Sequence, residues 1–543
     1  MTYQETANQI IRESIKSAIF IDEKALPFYF KESGVESYEE QLSKKLFENF
    51  KDNGINLSIQ KFEVGNEKDE NLKQYLFNGR DLVLLDWKLN GEHGEDYSLR
   101  ILSDVVTIEH IHFCVIYTSE PNIENIYANI LTYFSGRNKL EYDSIKEEFE
   151  AYEDELKPLF SKFNLFDNRA NNGLINDIFK IGEDFKISLG KLDKNVCNAF
   201  KVLKIAFSNY CKSENSISYS IDSFENKTIL INNTIVTIIN KDDADASKDA
   251  ANIIEKFSKN IVNSNFSYTQ LLGLELKNLL LSKGAYIDFD FLNVTKETLA
   301  FHRKQIIEEY DSDLSFKELL KNVFLEHAGL KLSNSNLRIL ASELFDEFNI
   351  TETPNSSELA SMNVYYNSIK LSTLERNLGF GDVFIAENGD YYICITALCD
   401  CVRPSKTDYI FYFAKGTSIN IEKAIQLGDS AFISFISRTK AVVWSNVDKI
   451  KSNDMEDKSK EYEQFRYKPI YIKPLSYLVQ EPLIVNNKIQ LARIFQYGTR
   501  NNGDLEFNDL CYVTTIKPTY TQRIANHAFT HPVRVGVDFV KKD

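Results

Sequence analysis

The sequence has few cysteines and no long apolar run, and each lack excludes a class of protein. Its seven cysteines are scattered over 543 residues and are odd in number. They do not form the dense pattern of a secreted disulfide framework, so we expect reduced thiols in a cytoplasmic protein. Because no run of about 18 apolar residues occurs, no transmembrane helix is expected. The N-terminus carries acidic residues before any apolar stretch, which does not match a signal peptide.

The sequence also lacks the motifs of several common catalytic and binding sites. No phosphate-cradling glycine-rich loop, nucleophile elbow or nuclease constellation occurs. Cys399 and Cys401, with Cys394 nearby, have no accompanying histidine and are interpreted as structural thiols rather than zinc ligands. The net charge of −16 disfavours broad nonspecific binding of nucleic acid or anionic lipid. We therefore expect no enzymatic activity, and neither a membrane nor a nucleic acid as the main partner.

The length and the hydrophobic pattern indicate a multidomain protein. A chain of 543 residues suffices for about three or four domains. Up to about residue 120, amphipathic helices alternate with apolar runs such as "SAIFID", "RDLVLLDWKL" and "IHFCVIYTS". Strands that are buried on both faces and separated by helices are typical of a doubly wound parallel sheet. The fold class predicted for this part is therefore α/β and flavodoxin-like.

This alternation is interrupted between about residues 122 and 228, where long helical segments occur without clear strands between them. The clearest are "YDSIKEEFEAYEDELKPLFSKF" and "KNVCNAFKVLKIAFSNYCK". The sheet then resumes with "KTILINNTIVTIINK", in which two β-rich runs flank Asn232 and Asn233 and a helix follows. We therefore interpret residues 1–265 as one domain with a helical insertion.

Two further parts follow this first domain. Residues 266–375 are mostly helical and are interpreted as a connector. Residues 376–543 are dominated by short β-rich runs, including "GDVFIAENGDYYICIT" with a hairpin signal at Asn388 and Gly389. This pattern predicts an all-β module built as a small barrel and closed by a late helix near "TYTQRIANHAF".

Polar residues follow three of the predicted sheet strands. Asp22 and Glu23 come after "AIFI", Asp86 comes after "DLVLL", and Thr118 comes after "CVIY". Ligand sites of open parallel sheets lie beyond the carboxyl ends of the strands, so these residues should converge. Clustered carboxylates favour a bound cation, and oxygen ligands suit Mg²⁺. A metal beside an acceptor acid indicates phosphoryl transfer with Asp86 as the nucleophile.

In this order of strand-end residues the sequence resembles the receiver domains of bacterial response regulators. The resemblance implies that Asp86 accepts a phosphoryl group, that Thr118 senses it, and that a lysine ends the fifth strand. For that lysine we favour Lys241, which closes "TIVTIIN", over Lys180. The resemblance also implies a set of Mg²⁺ ligands: the side chains of Asp22, Glu23 and Asp86 and the main-chain carbonyl of Lys88. Asn90 departs from the family pattern, which typically has proline in the loop after the acceptor.

The whole chain also resembles proteins of bacterial defence or conflict loci that join a divergent receiver to a C-terminal β module. The stretches that carry this resemblance are "LLDWKLNGEHG", "GDVFIAENGDYYICITALCDC" and "YTQRIANHAFTHPVRVGV". Such proteins are encoded beside a large histidine-kinase-like ATPase, which the resemblance implies as the partner.

These observations predict a phosphorylation-responsive regulatory protein of a two-component-like signalling system, which the resemblance associates with antiphage defence. Two alternatives stay open. One is a receiver-like scaffold that binds a partner protein without being phosphorylated, and the other is an effector that binds nucleic acid through its C-terminal module. The sequence does not fix the oligomeric state, so a homo-oligomer stays open as well.

Overall fold

The computed structural model describes most of the chain, in two compact units. The described residues are 1–25, 38–65, 68–91, 94–108, 113–134, 143, 147–162, 168–182, 185, 187, 189, 221–222, 228–241, 249–263, 267–283, 289–310, 313–348, 354–371, 375–427, 432–444, 472–494 and 507–530. The first unit comprises Met1–Tyr286 and Ala328–Phe348, and the second comprises Ile287–His327 and Asn349–Asp543. The division at residues 265 and 375 stays a prediction. Among the described residues, no helix has the length and hydropathy needed to cross a membrane.

A seven-stranded sheet forms the centre of the first unit. Its strands are β1 (Ser17–Asp22), β2 (Asn56–Lys61), β3 (Leu82–Leu85), β4 (Phe113–Thr118), β5 (Ile221–Asp222), β6 (Thr228–Ile231) and β7 (Thr234–Asn240). They lie in the order β2-β1-β3-β4-β7-β6-β5. The first five strands in this order pair in parallel, and β6 and β5 extend the sheet in antiparallel fashion. The predicted parallel sheet is thus confirmed, with an antiparallel hairpin at one edge.

Helices cover both faces of this sheet. They are α1 (Tyr3–Ser14), α2 (Tyr38–Asp52), α3 (Glu70–Phe77), α4 (Glu95–Val105), α5 (Ile123–Phe134), α6 (Glu153–Lys162), α7 (Asn168–Ile181), α8 (Asp249–Val262) and α9 (Ser267–Lys283). Successive residues of a strand point to opposite faces, so Val83 and Leu85 of β3 enter one core cluster while Leu82 and Leu84 enter another. Both clusters include helical residues, which confirms the doubly wound architecture.

The sheet resumes after the insertion as the sequence indicates. A two-residue turn at Asn232 and Asn233 joins β6 to β7, and Asn232 has the left-handed φ of 51° that asparagine tolerates. The strand β7 then pairs with β4 in parallel, although the insertion separates them in sequence. The first helical segment predicted in the insertion is represented by α6, whereas the segment "KNVCNAFKVLKIAFSNYCK" lies outside the described residues.

In the second unit, antiparallel strands form a closed barrel with extra strands. The strands are β8 (Ser368–Ile369), β9 (Glu375–Asn377), β10 (Asp382–Ile385), β11 (Tyr391–Cys394), β12 (Ile410–Ile419), β13 (Ile433–Ser437), β14 (Lys440–Val443), β15 (Pro474–Leu478), β16 (Leu483–Val485), β17 (Lys488–Arg493) and β18 (Phe507–Ile516). The pairs β10–β11, β11–β12, β12–β15, β15–β17, β17–β18 and β18–β10 close a ring of six strands. The predicted barrel-like module is therefore confirmed.

The barrel interior is filled by aromatic and aliphatic side chains. Phe411 and Phe413 of β12 are fully buried, while Tyr412 between them is exposed, as the two-residue period of a strand requires. The late helix is present as α17 (Pro518–Thr530), and the shorter helices of the module are α15 (Leu398–Cys401) and α16 (Ile421–Leu427). Residues 531–543, which end one of the stretches quoted for the resemblance, lie outside the described residues.

The region predicted as a connector is helical. Its helices are α10 (Phe289–Leu292), α11 (Lys296–Tyr310), α12 (Asp313–Ser333), α13 (Ser342–Asp346) and α14 (Ser356–Asn367). Part of this region belongs to the first unit, because Ile339 and Leu344 are buried in one of its two core clusters. Arg338 fixes that part by ion pairs of 2.6 Å to Glu13 and 2.7 Å to Glu275.

Candidate functional site

The site lies at the carboxyl edge of the parallel sheet. Asp22 is the last residue of β1, Asp86 directly follows β3, Thr118 is the last residue of β4, and Lys241 directly follows β7. These four strands are consecutive neighbours in the sheet and run in the same direction. Their ends therefore meet at one edge, where open α/β sheets bind ligands.

Lys241 connects the two aspartates. Its Nζ lies 2.8 Å from Oδ2 of Asp22 and 2.6 Å from Oδ1 of Asp86. Asp22 and Asp86 are only 6% and 8% exposed, so both carboxylates are largely withdrawn from water. Buried charges are stable only when they are paired, and here one ammonium is shared by two carboxylates.

This sharing leaves the site with excess negative charge. Burial raises the pKa of Asp86 to about 6, the Lys241 charge acts to lower it, and the Asp22 charge acts to raise it further. Burial disfavours the charged form of Lys241 as well, but the two carboxylates outweigh it, so its pKa lies above the ordinary value. Near pH 7 the group therefore consists of an ammonium and a carboxylate of Asp86 that burial makes unusually easy to protonate.

Thr118 has two hydrogen-bonding roles at this edge. Its carbonyl accepts a hydrogen bond of 2.7 Å from the Lys241 amide, which continues the pairing of β4 with β7. Its hydroxyl Oγ1 accepts a hydrogen bond of 3.0 Å from the Glu120 amide. In this state the Thr118 hydroxyl caps the following turn, while its position at the strand end stays next to the carboxylates.

Glu23 is directed to a loop rather than to the shared lysine. Its Oε2 accepts hydrogen bonds of 2.7 Å from the Asn90 amide and 3.1 Å from the Gly91 amide. Asn90 has a φ of 97° and Gly91 one of 77°. Proline can supply neither that positive φ nor the N–H, which explains in physical terms why asparagine stands at this position. Asparagine and glycine are the residues that most readily adopt a positive φ in such a turn.

Lys88 and Lys180 have different surroundings. The Lys88 amide donates a hydrogen bond to Asp86 and acts to lower its pKa. The Lys88 Nζ lies 2.6 Å from Oε2 of Glu120, so it ties the loop after β3 to the loop after β4. Lys180 lies on α7 with an exposed side chain 2.7 Å from Asp177. Between the two candidate lysines, it is Lys241 that the fold brings to Asp86.

Ser98 is a further positioning residue, which sequence reasoning missed. Its side chain is fully buried in α4, and Oγ donates to the carbonyls of Asp86 and Trp87, both at 2.8 Å. The helix is held close to this loop at Gly94, where a Cβ atom would lie 2.4 Å from the Leu89 nitrogen. No local sequence pattern marks a serine for this role, because the contact depends on how α4 packs.

The donor chemistry suits a hard cation. Asp22 and Asp86 offer carboxylate oxygens, and Lys88 offers a main-chain carbonyl, which are the ligand types that Mg²⁺ prefers. The raised pKa of Asp86 indicates that additional positive charge would be accommodated there. Within the part of the chain that is described, no three His, Cys, Asp or Glu side chains gather into a metal-binding group.

Comparison with known proteins identifies the family of this domain. Residues 14–162 match the family model of the response receiver domain. Searches of curated proteins and of solved structures gave no match. Receiver domains are generally regulatory rather than enzymatic, typically bind Mg²⁺ at their phosphorylation site, and act with a kinase. The match ends before β7, so it is the fold that brings Lys241 to the matched residues. Residues 14–162, about a quarter of the chain, therefore match a response-regulator receiver domain.

Proposed function

We propose that the protein is a phosphorylation-responsive regulator of a phosphorelay-type pathway, with Asp86 as the phosphoacceptor. The observation that carries this proposal is the contact of Lys241 with both Asp86 and Asp22. An acceptor carboxylate needs a fixed position and a cation that remains beside it as charge accumulates. Lys241 provides the cation, and the buried ends of β1, β3 and β7 provide the position.

The proposed reaction is an in-line transfer to a carboxylate oxygen. Oδ of ionised Asp86 attacks the phosphorus of a phosphohistidine on a partner kinase, so that a P–O bond forms and the P–N bond breaks. The electron pair of the broken bond returns to the imidazole nitrogen, which takes a proton from solvent. A pKa of about 6 leaves most Asp86 ionised at pH 7. Lys241 stays charged and offsets the negative charge of the product.

We propose Asp22, Asp86, Glu23 and the main-chain carbonyl of Lys88 as the residues that hold Mg²⁺. When bound, the ion supplies neutralisation of the phosphoryl oxygens. Glu23 is included because both of its loop hydrogen bonds use Oε2, which leaves Oε1 outside them. The protein residues fix the loop and the carboxylates around this position.

The proposed readout begins at Thr118. A phosphoryl oxygen on Asp86 would accept a hydrogen bond from the Thr118 hydroxyl, and movement of Thr118 toward it would alter the hydrogen bond that the same hydroxyl oxygen accepts from the Glu120 amide. Glu120 is also held by Lys88, next to the acceptor. Addition or loss of the phosphoryl group would therefore alter both contacts of Glu120 and, through them, the start of α5.

Intact-mass measurement after incubation with acetyl phosphate and Mg²⁺ tests the proposal. We expect the mass of one phosphoryl group to be gained by wild type and lost with Asp86→Asn. The matched control is Asp104→Asn, because Asp104 is also an aspartate with a raised pKa beside a lysine, Lys73 at 3.0 Å. A gain that survives Asp86→Asn, or its absence from wild type with a partner kinase also tried, contradicts the proposal.

The partner and the setting are proposed on the resemblance of the sequence. A histidine-kinase-like ATPase would donate the phosphoryl group, in the cytoplasm and in the context of antiphage defence. Loss of phosphorylation on deletion of the candidate kinase, measured in cells, tests the partner. Unchanged phage resistance on deletion of this protein would contradict the setting.

One observation favours an alternative, a receiver-like scaffold that is not phosphorylated. The Thr118 hydroxyl already bonds to Glu120, and Lys241 already pairs both aspartates, so the edge is satisfied without phosphate. For a scaffold, affinity for the partner kinase would be equal in wild type and Asp86→Ala and would not respond to acetyl phosphate. A change of affinity on phosphorylation, absent in Asp86→Ala, would exclude it.

A further inference from the structure

The outer side of α14, in the second unit, carries exposed aromatic side chains. Met362, Tyr365 and Tyr366 are 48%, 65% and 51% exposed. The two tyrosines lie three and four residues after Met362, so all three side chains share one side of the helix. The opposite side is packed, since Ala360 and Asn367 are buried. A single exposed aromatic residue is ordinary, whereas neighbouring ones on a packed helix indicate a contact surface.

Two lysines lie beside these tyrosines. Nζ of Lys517 donates a hydrogen bond to the Tyr365 carbonyl and lies 4.7 Å from the centroid of the Tyr365 ring. Lys370 directly follows β8, which begins where α14 ends and pairs with the last two residues of β18, just before Lys517. A cation is attracted to the face of an aromatic ring, and here it leaves Tyr365 largely open to solvent.

The hairpin of β13 and β14 adds two further cations. The end of α14 is fixed to this hairpin, because Oδ1 of Asn367 accepts a hydrogen bond of 3.1 Å from the Phe435 amide. Arg438 and Lys440 follow three and five residues later, and both are exposed. Among the described residues, none of the four basic side chains in this part of the unit has a carboxylate partner. Their charge is therefore available to an anion without the loss of an ion pair.

The net charge of the C-terminal module differs in sign from that of the whole chain. Residues 376–543 contain 22 lysines and arginines and 19 aspartates and glutamates, whereas the chain has a net charge of −16. A polyanion is repelled by most of the protein and is attracted only where positive charge collects. The unpaired cations beside α14 supply such a place, directly next to two exposed aromatic rings.

We propose that Tyr365, Tyr366 and these four basic side chains form a surface that binds single-stranded nucleic acid. Bases stack on the tyrosine rings, and phosphates contact the lysines and the arginine. A single strand is required, because the faces of the bases are covered by stacking inside a duplex. An acidic protein segment would match the charge as well, but such segments usually place apolar side chains in a groove. The two tyrosines instead stand on the convex outer side of a helix.

Fluorescence anisotropy of the full chain with labelled oligothymidylate and oligouridylate of about 20 nucleotides tests the role of the tyrosines. At about 50 mM salt we expect binding that the double variant Tyr365→Ala, Tyr366→Ala weakens by about tenfold or more. The double variant Tyr365→Phe, Tyr366→Phe should bind as wild type does, because phenylalanine also stacks on bases. Tyr75→Ala is the matched control, since Tyr75 is 61% exposed on α3 of the first unit. Circular dichroism of each variant checks that it is folded.

The salt dependence of binding tests the role of the cations. The affinity should fall as salt rises, and Lys517→Gln should reduce the slope of log affinity against log salt by about 0.7, the value for one phosphate contact of a single strand. Lys296→Gln is the control, because it changes the net charge equally and its side chain is 92% exposed on α11 of the same unit. The slope of this control should equal that of wild type.

Four results would overturn the inference. These are the absence of binding to both probes by wild type, equal weakening by Tyr75→Ala, tighter binding of a duplex of the same length, and equal slopes for Lys517→Gln and Lys296→Gln. Competition with polyglutamate separates nucleic acid from an acidic protein. If polyglutamate displaces the labelled strand as well as unlabelled oligothymidylate does, the surface belongs to an acidic protein and the inference is wrong. The inference does not depend on phosphorylation of Asp86.

Discussion

Nζ of Lys241 lies 2.6 Å from Oδ1 of Asp86, although 155 positions separate the two residues in sequence. The insertion between β4 and β7 does not prevent this contact, because the two strands pair along the whole of Phe113–Thr118. Lys241 also contacts Asp22, at 2.8 Å. One buried cation thus serves two buried carboxylates, and both the stability and the chemistry of the site depend on it.

Replacement of Lys241 by methionine should destabilise the protein strongly. The change leaves Asp22 and Asp86 buried side by side without their cation, and removal of one partner of a buried pair costs about 3–5 kcal/mol. We expect a loss of this size in urea unfolding at pH 7 and a smaller one at pH 5, where Asp86 becomes protonated. Lys180→Met is the control, since Lys180 is exposed. Equal small losses for both variants would contradict the account.

The stability of the protein should depend on pH through Asp86. Burial raises its pKa to about 6, with Asp22 adding to the shift and Lys241 opposing it. Since the pKa is about 3.9 in an unfolded chain, the contribution of protonated Asp86 is fully present below about pH 4 and is lost as the pH rises through about 6.

The amide of Asp86→Asn cannot ionise. The free energy of unfolding of this variant should therefore increase relative to that of wild type as the pH rises from about 4 to 7. The difference in unfolding free energy should reach at most about 3 kcal/mol, measured by urea titration with a metal chelator present. A difference that is the same at both ends of this range, or that grows as the pH falls, would show that the pKa of Asp86 is not raised.

Asn90→Pro should disturb the loop after β3. Proline cannot adopt the φ of 97° and cannot donate the 2.7 Å hydrogen bond to Glu23. We expect a loss of about 2 kcal/mol or more in unfolding free energy together with slower phosphorylation. Asn90→Gly keeps both the φ and the N–H and should stay within about 1 kcal/mol of wild type. If proline were tolerated as well as glycine, the contact between Glu23 and this loop would not matter.

Ser98→Ala should loosen the position of Asp86 without touching its carboxylate. The change removes the donor to two buried carbonyls, which costs about 1–3 kcal/mol. Phosphorylation should slow as well, because the backbone of Asp86 loses its attachment to α4. Ser103 is the control, since it lies on the same helix and is half-buried but donates to the Arg100 carbonyl rather than to the loop after β3. Ser103→Ala should not slow phosphorylation.

The parallel sheet and the residues that end its strands could be predicted from the sequence. Runs such as "LVLL" and "FCVIY" are apolar at every position because both faces of the sheet are covered, and that pattern identifies parallel strands. Residues that end parallel strands must lie at one edge, so proximity of Asp22, Asp86 and Thr118 follows from the pattern alone. The hairpin at Asn232 could also be predicted from the sequence, since its turn needs a residue that tolerates positive φ.

Contacts made by side chains across loops could not be predicted. Glu23 reads as a metal ligand from its position, yet its hydrogen bonds go to the Asn90 and Gly91 amides, a choice set by the path of the loop. The ion pair of Lys88 with Glu120 and the bonds of Ser98 likewise depend on how two loops and a helix pack. These distances arise from tertiary packing, which local sequence patterns do not predict.

The most direct measurement is chemical mapping of the phosphorylated residue. Protein incubated with acetyl phosphate and Mg²⁺ is treated with borohydride, which reduces an acyl phosphate to an alcohol, and the digest is analysed by peptide mass spectrometry. We expect conversion of the side chain at Asp86 to that of homoserine, sharply reduced in Lys241→Met and unchanged in Asp104→Asn. Conversion at another aspartate, or equal conversion at Asp86 with and without Lys241, would contradict it.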